Sequence, residues 1–266
     1  MLQQTQVERV IPKYHEFLAL FPSFEALASA PVSDVIRAWA TLGYNQRAVR
    51  LHGIAQQVVG EHGGRLPPDE NALLKLKGFG PYTAAALACF AFGRQTAVVD
   101  TNVRRVLGRV LLGETGPSPS AMQRLAQDAL PAGKASEWAQ ALMDIGATLC
   151  SIRRPRCEAC PAQAWCRWAN AGLVEGEAQS PVASRLSDQR AVYSVQPPFK
   201  GSSRYYRGRI VEALRQAGEE GKLAAEIGSA VRDGFTEADA PWLDGLLAGL
   251  ERDGLLRRDG LRVRLP

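Results

Sequence analysis

The sequence predicts an all-α body, and three observations carry that reading. From residue 1 to about 170, apolar side chains recur at three-and-four spacing. The runs are separated by short Gly or Pro breaks, and none keeps the alternation of a strand. The opening helix reaches about Leu20 and uses Leu2, Val7, Val10, Ile11, Tyr14, Phe17 and Leu18 as a core-facing stripe. No Ser, Thr, Asp or Asn stands ahead of it to cap its first amides. Further helices are expected over Phe24–Ala30, Ser33–Thr41, Gln46–Glu61, Asp69–Leu76, Pro81–Phe92, Asn102–Leu112, Ser120–Leu130 and Lys134–Leu149. Gly63-Gly64 and Gly93 act as stops.

Residues 171–202 lose this periodicity and accumulate Gly, Ser, Pro and Gln, which reads as a linker. Beyond it, helical patterns at Tyr205–Gln216, Leu223–Val231 and Ala240–Asp253 precede "LLRRDGLRVRL", where Asp259-Gly260 signals a tight hairpin. Three helices closed by a hairpin resemble a winged-helix domain over residues 203–266, with Arg257, Arg258, Arg262 and Arg264 on or near the wing. A small helical cap with solvated arginines fits the same pattern.

With 266 residues the chain has room for two or three small domains. Lys and Arg number 32 against 27 Asp and Glu, a net charge of +5 that makes nucleic acid the first candidate partner. No apolar run approaches the roughly 20 residues a bilayer span needs, and the start lacks the layout of a secretory signal. A cytoplasmic protein with no membrane partner is expected.

Four of the five cysteines fall in "CSIRRPRCEACPAQAWC", spaced C-x6-C-x2-C-x5-C. In a reducing compartment this clustering points to a metal site on Cys150, Cys157, Cys160 and Cys166, and four thiolates suit either zinc or a 4Fe–4S cluster. Arg153, Arg154 and Arg156 crowd the loop after Cys150, so phosphate contacts from Arg153 and Arg154 are expected. Cys89, among alanines and phenylalanines, reads as core.

Upstream, "LLKLKGFGPYTAA" sets Lys77, Gly78 and Gly80 between two helical patterns. The glycines permit positive φ and close backbone approach, while Pro81 suits the first helical position, whose neighbouring N–H groups then face an anion. A plain tight turn between packed helices uses the same residues. Twenty residues on, in "AVVDTNVRRVLGRVL", Asp100 stands where it can cap the following helix.

Taken together, the cysteine spacing, the hairpin, "VDTNVRRVL", "MLQQTQV" and "LGY" make residues 1–170 resemble the endonuclease III and MutY group of helix-hairpin-helix DNA glycosylases, and MutY most. The resemblance implies a helical barrel with the hairpin over residues 1–102 and a cluster domain over 103–170. It decides for a 4Fe–4S cluster, with a monovalent cation at the hairpin, in a monomer of the nucleoid acting on double-stranded DNA. The implied reaction is removal of adenine mispaired with guanine or 8-oxoguanine; a thymine or uracil mismatch glycosylase and a non-catalytic DNA-binding relative are the alternatives. Asp100 would stabilise the oxocarbenium ion that forms as the N-glycosidic bond breaks, and Asn102 would hold the flipped nucleotide or position water. Tyr82 takes the place of the lysine that bifunctional relatives use for β-elimination, which implies hydrolysis without strand cleavage. Gln3 and Gln4 match residues that probe the helix around the lesion, and Tyr44 matches a tyrosine wedge, core filling being its other reading. In MutY proteins "MLQQTQV" follows a helix and a catalytic Glu, so this reading expects that general acid immediately upstream of Met1, outside the 266 residues.

Overall fold

The computed structural model describes residues 1–114, 117–171 and 198–266; most of the expected linker at 171–202 lies outside the described residues. In chain order the helices are α1 Val7–Leu20, α2 Phe24–Ser29, α3 Val32–Ala38, α4 Gln46–His62, α5 Glu70–Leu74, α6 Pro81–Phe92 and α7 Thr101–Leu107. They continue as α8 Pro119–Asp128, α9 Ala135–Thr148, α10 Arg167–Asn170, α11 Ser203–Arg215, α12 Ala224–Val231 and α13 Ala240–Arg252. Three short strands, β1 Lys222–Leu223, β2 Arg257–Asp259 and β3 Arg262–Arg264, form an antiparallel sheet in the order β1-β3-β2. Among the described residues no helix is long and apolar enough to cross a membrane.

Local chemistry explains most boundaries. Ser23, Asp69, Asp100, Ser118 and Ser202 each accept a first-turn amide of the helix they precede, offsetting an orphan donor worth about 1 kcal/mol. Pro81 opens α6, and left-handed Gly63 and Gly93 close α4 and α6.

The chain separates into two compact units, one of Met1–Leu66 with the described residues of Gln196–Pro266, the other of the described residues of Pro67–Val195. In the first, a single apolar core joins Val10, Phe17, Ile36, Trp39 and Ala48 to Ile210, Leu214, Ile227, Leu247, Leu250 and Val263. Removing any of these large side chains would cost both segments together, at about 2–5 kcal/mol for a buried Leu or Ile cut to Ala. Two of the four wing arginines are ion-paired: Arg258 with Asp244 at 2.6 Å and Glu251 at 3.3 Å, and Arg264 with Asp259 at 2.7 Å. In the second unit α7 packs on α9 and α5 on α6. Its apolar clusters centre on Val103, Val106, Leu107 and Met122, and on Cys89, Val98 and Ala139.

Two local expectations need correction. The helix begins at Val7, and the stripe is only partly internal: Val10 and Phe17 are buried, while Leu2, Val7, Ile11, Tyr14 and Leu18 are exposed. Residues 1–6 lie outside the helix, and there the carbonyls of Met1 and Gln3 accept from Arg47. The second concerns α7, which stops at Leu107 and runs into a wider π turn over Gly108–Leu112, a local form frequent at functional positions.

Candidate active site and cluster loop

In the second unit Gly78 takes φ +95, the left-handed conformation its residue type permits, whereas Gly80 is extended at φ −100. Gly80 is therefore not required for its backbone angle. A Cβ there would meet nothing within 4 Å, so its absence leaves open space at the first turn of α6. Lys77 and Gly80 are exposed, and Pro81 at the first helical position removes no needed donor. An anion can reach the backbone of this turn directly.

Asp100 caps α7: Oδ1 accepts from Val103 N at 2.7 Å, and Oδ2 accepts from Asn102 Nδ2 at 3.2 Å. Both carboxylate oxygens are thus oriented by the helix they begin. Tyr82, on the first turn of α6, lies near enough for the Asp100 charge to act on its phenol. Burial and then that charge push the Tyr82 pKa above its ordinary value, which keeps the hydroxyl protonated. Asp100 and Asn102 are therefore in contact, and Tyr82 lies within reach of the Asp100 charge.

A chain of contacts runs on from Asp100. Asn102 Oδ1 accepts from Arg105 Nη2 at 2.8 Å, and the same guanidinium donates to Gly146 O and to Cys150 O, each at 2.7 Å. Helices α7 and α9 meet closely here, since a Cβ on Gly146 would fall 2.5 Å from Asn102 Cβ. Sequence reasoning missed Arg105 and Arg109. Helical phase offered no signal for them, because Val103, Val106, Leu107 and Val110 form the apolar stripe and both arginines fall outside it.

Cys150, Cys157, Cys160 and Cys166 line one cavity together with Arg109 and Trp168. Among the described residues no three His, Cys, Asp or Glu side chains converge tightly enough to hold a single metal ion. Arg109 is 2 % exposed; Nη1 donates to Ser151 O at 2.7 Å and lies 3.2 Å from Cys150 Sγ, Nη2 donates to Ile152 O at 3.0 Å, and the group stacks 4.8 Å from the Trp168 ring centroid. Arg109 Nε and Trp168 Nε1 are buried without a hydrogen-bond partner among the described residues. Unsatisfied donors and a buried cation beside four thiols fit an electron-rich, anionic occupant. Burial and the neighbouring thiols Cys166 and Cys150 push the Cys157 pKa up, and Arg109 acts against them. Arg153 and Arg154 are exposed on the loop between Cys150 and Cys157.

In the first unit Gln3 and Tyr44 are gathered around Arg47, and Gln4, exposed with φ +57, follows Gln3 in the chain. Arg47 Nη1 donates to Met1 O at 2.9 Å and Gln3 O at 2.5 Å, and Nη2 to Thr5 Oγ1, Leu42 O and Gly43 O. The guanidinium also sits 5.6 Å from the Tyr44 ring centroid. Tyr44 itself is 58 % exposed, which removes the core-filling reading.

Comparisons with known proteins agree with this geometry. The model of the HhH-GPD superfamily of base excision DNA repair proteins matches residues 1–132, so fold and site define a base-excision DNA glycosylase. The adenine DNA glycosylase of Mycobacterium tuberculosis (strain ATCC 25618 / H37Rv) is 37% identical over 283 residues, covering 100% of this chain and 83% of the relative. A thermostable thymine-DNA glycosylase has a similar structure, at TM-score 0.59 and 34% identity, over 64% of this chain and 80% of that one. A non-covalent endonuclease III–DNA complex shares the fold at TM-score 0.57 and 21% identity, over 65% and 81% of the two chains. The chain belongs to the adenine DNA glycosylase family of the HhH-GPD superfamily.

Proposed function

We propose that this glycosylase removes adenine mispaired with guanine or 8-oxoguanine, breaking the N-glycosidic bond with water and leaving the strand intact. The observation that carries the reading is the Asp100 carboxylate, fixed at both oxygens at the start of α7. As the base departs, positive charge develops on the sugar, and a preoriented carboxylate lowers the energy of that state without reorganising. Asn102 keeps Oδ2 in place and lies beside the backbone of the flipped nucleotide. Tyr82 offers no amine, so no covalent sugar adduct forms and β-elimination does not follow.

The hairpin at Lys77, Gly78 and Gly80, with a monovalent cation at the turn, and the arginines Arg153 and Arg154 take DNA phosphates. Gln3, Gln4 and Tyr44 probe the duplex at the mispair. Cys150, Cys157, Cys160 and Cys166 would hold a 4Fe–4S cluster. Four thiols lining one cavity with the buried Arg109, whose Nε is left without a partner among the described residues, support an anionic group of that kind there. Bound there, the cluster supplies iron–thiolate bonds that order the loop and takes no part in the hydrolysis. The protein acts as a monomer in the nucleoid.

The test is single-turnover excision, with protein in excess, on duplexes carrying A:8-oxoguanine, A:G or T:G, followed by alkali. Adenine release with strand breaks only after alkali is expected. Likeness to the thymine-DNA glycosylase structure motivates a second reading, mismatch thymine removal. Product from T:G and none from either adenine duplex would favour it.

A further inference from the structure

The turn before α4 is built against backbone preference. Thr41 has φ +72, Gly43 +70 and Tyr44 +47, and Gln4 has φ +57. Thr and Tyr adopt the left-handed region only where surrounding contacts over-determine it. Arg47, on α4, supplies part of that determination through its contacts to Leu42, Gly43 and Tyr44.

The rest comes from the far end of the sequence. Arg215, on the last turn of α11, has a side chain only 9% exposed. Its Nη2 donates to Asn45 Oδ1 at 2.8 Å and its Nε to Ile36 O at 3.1 Å, while Nη1 pairs with Glu212 at 2.9 Å. The next residue is gripped as well: Gln46 Nε2 donates to Asp253 Oδ1 at 3.1 Å, and Asp253 is itself paired with Arg207. The two residues that follow Tyr44 are thus each tied by a side-chain hydrogen bond to the C-terminal helices. Apolar packing alone would hold the segments together; these polar ties fix the orientation of one turn.

We propose that the C-terminal helices are a positioning device for mispair reading, in which Arg215 and Asp253 hold Asn45 and Gln46 so that the exposed Tyr44 ring stands ready to enter the duplex. The proposal rests on the reading of Tyr44 as the wedge. Arg215 touches no substrate in it and acts only through the turn. An exposed ring on an untied turn would lose rotational and backbone freedom on entering DNA, a cost that the ties remove beforehand.

The experiment uses the full chain and a duplex with 2-aminopurine beside an A:G mispair, whose fluorescence rises when its neighbour unstacks. Affinities for A:G and A:T duplexes and thermal melting are measured alongside. Tyr44→Ala should abolish most of the fluorescence rise. Asn45→Ala and Arg215→Ala should each lower the A:G over A:T preference about three- to tenfold, the size of one net hydrogen bond, with A:T binding unchanged. Their double variant should be no worse than either alone, as expected for a shared link. Arg215→Lys, which can still donate to Asn45, should recover part of the loss. Should Arg215→Ala fold poorly, Asn45→Ala carries the test, since it removes the acceptor from outside the C-terminal core. If Tyr44→Ala loses the signal while Asn45→Ala keeps both signal and preference, the positioning proposal is overturned and the wedge stands. If Tyr44→Ala changes nothing, the wedge reading falls and takes the proposal with it.

Discussion

Asn102 donates to Asp100 Oδ2 across 3.2 Å while its own oxygen accepts from Arg105, so the carboxylate proposed for the reaction centre is held by a side chain that is itself held. Arg105 in turn reaches the carbonyl of Cys150, the first thiol of the cluster loop. Order at the loop and order at Asp100 are therefore mechanically linked within one unit.

This link makes Gly146 a sensitive position. A methyl group there would strike Asn102 Cβ at 2.5 Å and its Cα at 3.1 Å. Gly146→Ala should cost about 1–3 kcal/mol by overpacking and slow excision by more than its loss of stability explains. Melting curves and single-turnover rates on the same preparation check this; an unchanged rate with a lowered melting point would confine Gly146 to packing.

The exposed pair Arg153 and Arg154 should contribute charge without reading sequence. Replacing both by Ala should weaken matched and mismatched duplexes alike and reduce the salt slope of binding by up to about 2. Titrations across a salt series decide it, and a loss restricted to mismatched DNA would contradict the assignment.

Metal content follows from the thiol arrangement. Anaerobically purified protein should be brown and contain iron with acid-labile sulfide, and Cys157→Ser should lose colour and thermal stability together. Stoichiometric zinc without sulfide would refute the cluster.

Tyr82 sets a chemical boundary. Borohydride added during turnover should trap no protein–DNA adduct, because a phenol forms no imine. Since burial and Asp100 raise its pKa, the Tyr82 hydroxyl stays neutral as pH rises through the ordinary tyrosine range and ionises late. Ultraviolet titration should show a tyrosine that ionises late, and Tyr82→Phe should remove it.

Much of this was legible in the sequence, for physical reasons that also mark the limit. Asp69 and Asp100 announce helices because caps act locally, and the Asp259-Gly260 hairpin is visible because a tight turn demands its residue types. The irregular start at Met1–Gln6 was not legible, since its carbonyls are satisfied by Arg47, more than forty residues away. Nor was the shared core of the first 66 residues with the C-terminal helices, which no periodicity encodes. Arg105 and Arg109 read as solvated charges on a helix, yet one joins Asn102 to Cys150 and the other is buried among the thiols. Of the two freedoms glycine permits at position 80, positive φ is not used and open space in front of α6 is.

Stabilisation of a cationic sugar by the Asp100 charge can be read from binding, without relying on turnover. Duplexes carrying either a neutral tetrahydrofuran abasic residue or a cationic pyrrolidine in the same place, opposite guanine, differ by one charge at the reacting position. A site complementary to the transition state should bind the cationic form more tightly by about tenfold or more, and Asp100→Asn, which can still cap α7, should erase that preference while leaving the neutral duplex bound as before. Equal affinity for the two duplexes in the parent protein, or a preference that survives Asp100→Asn, would contradict the account.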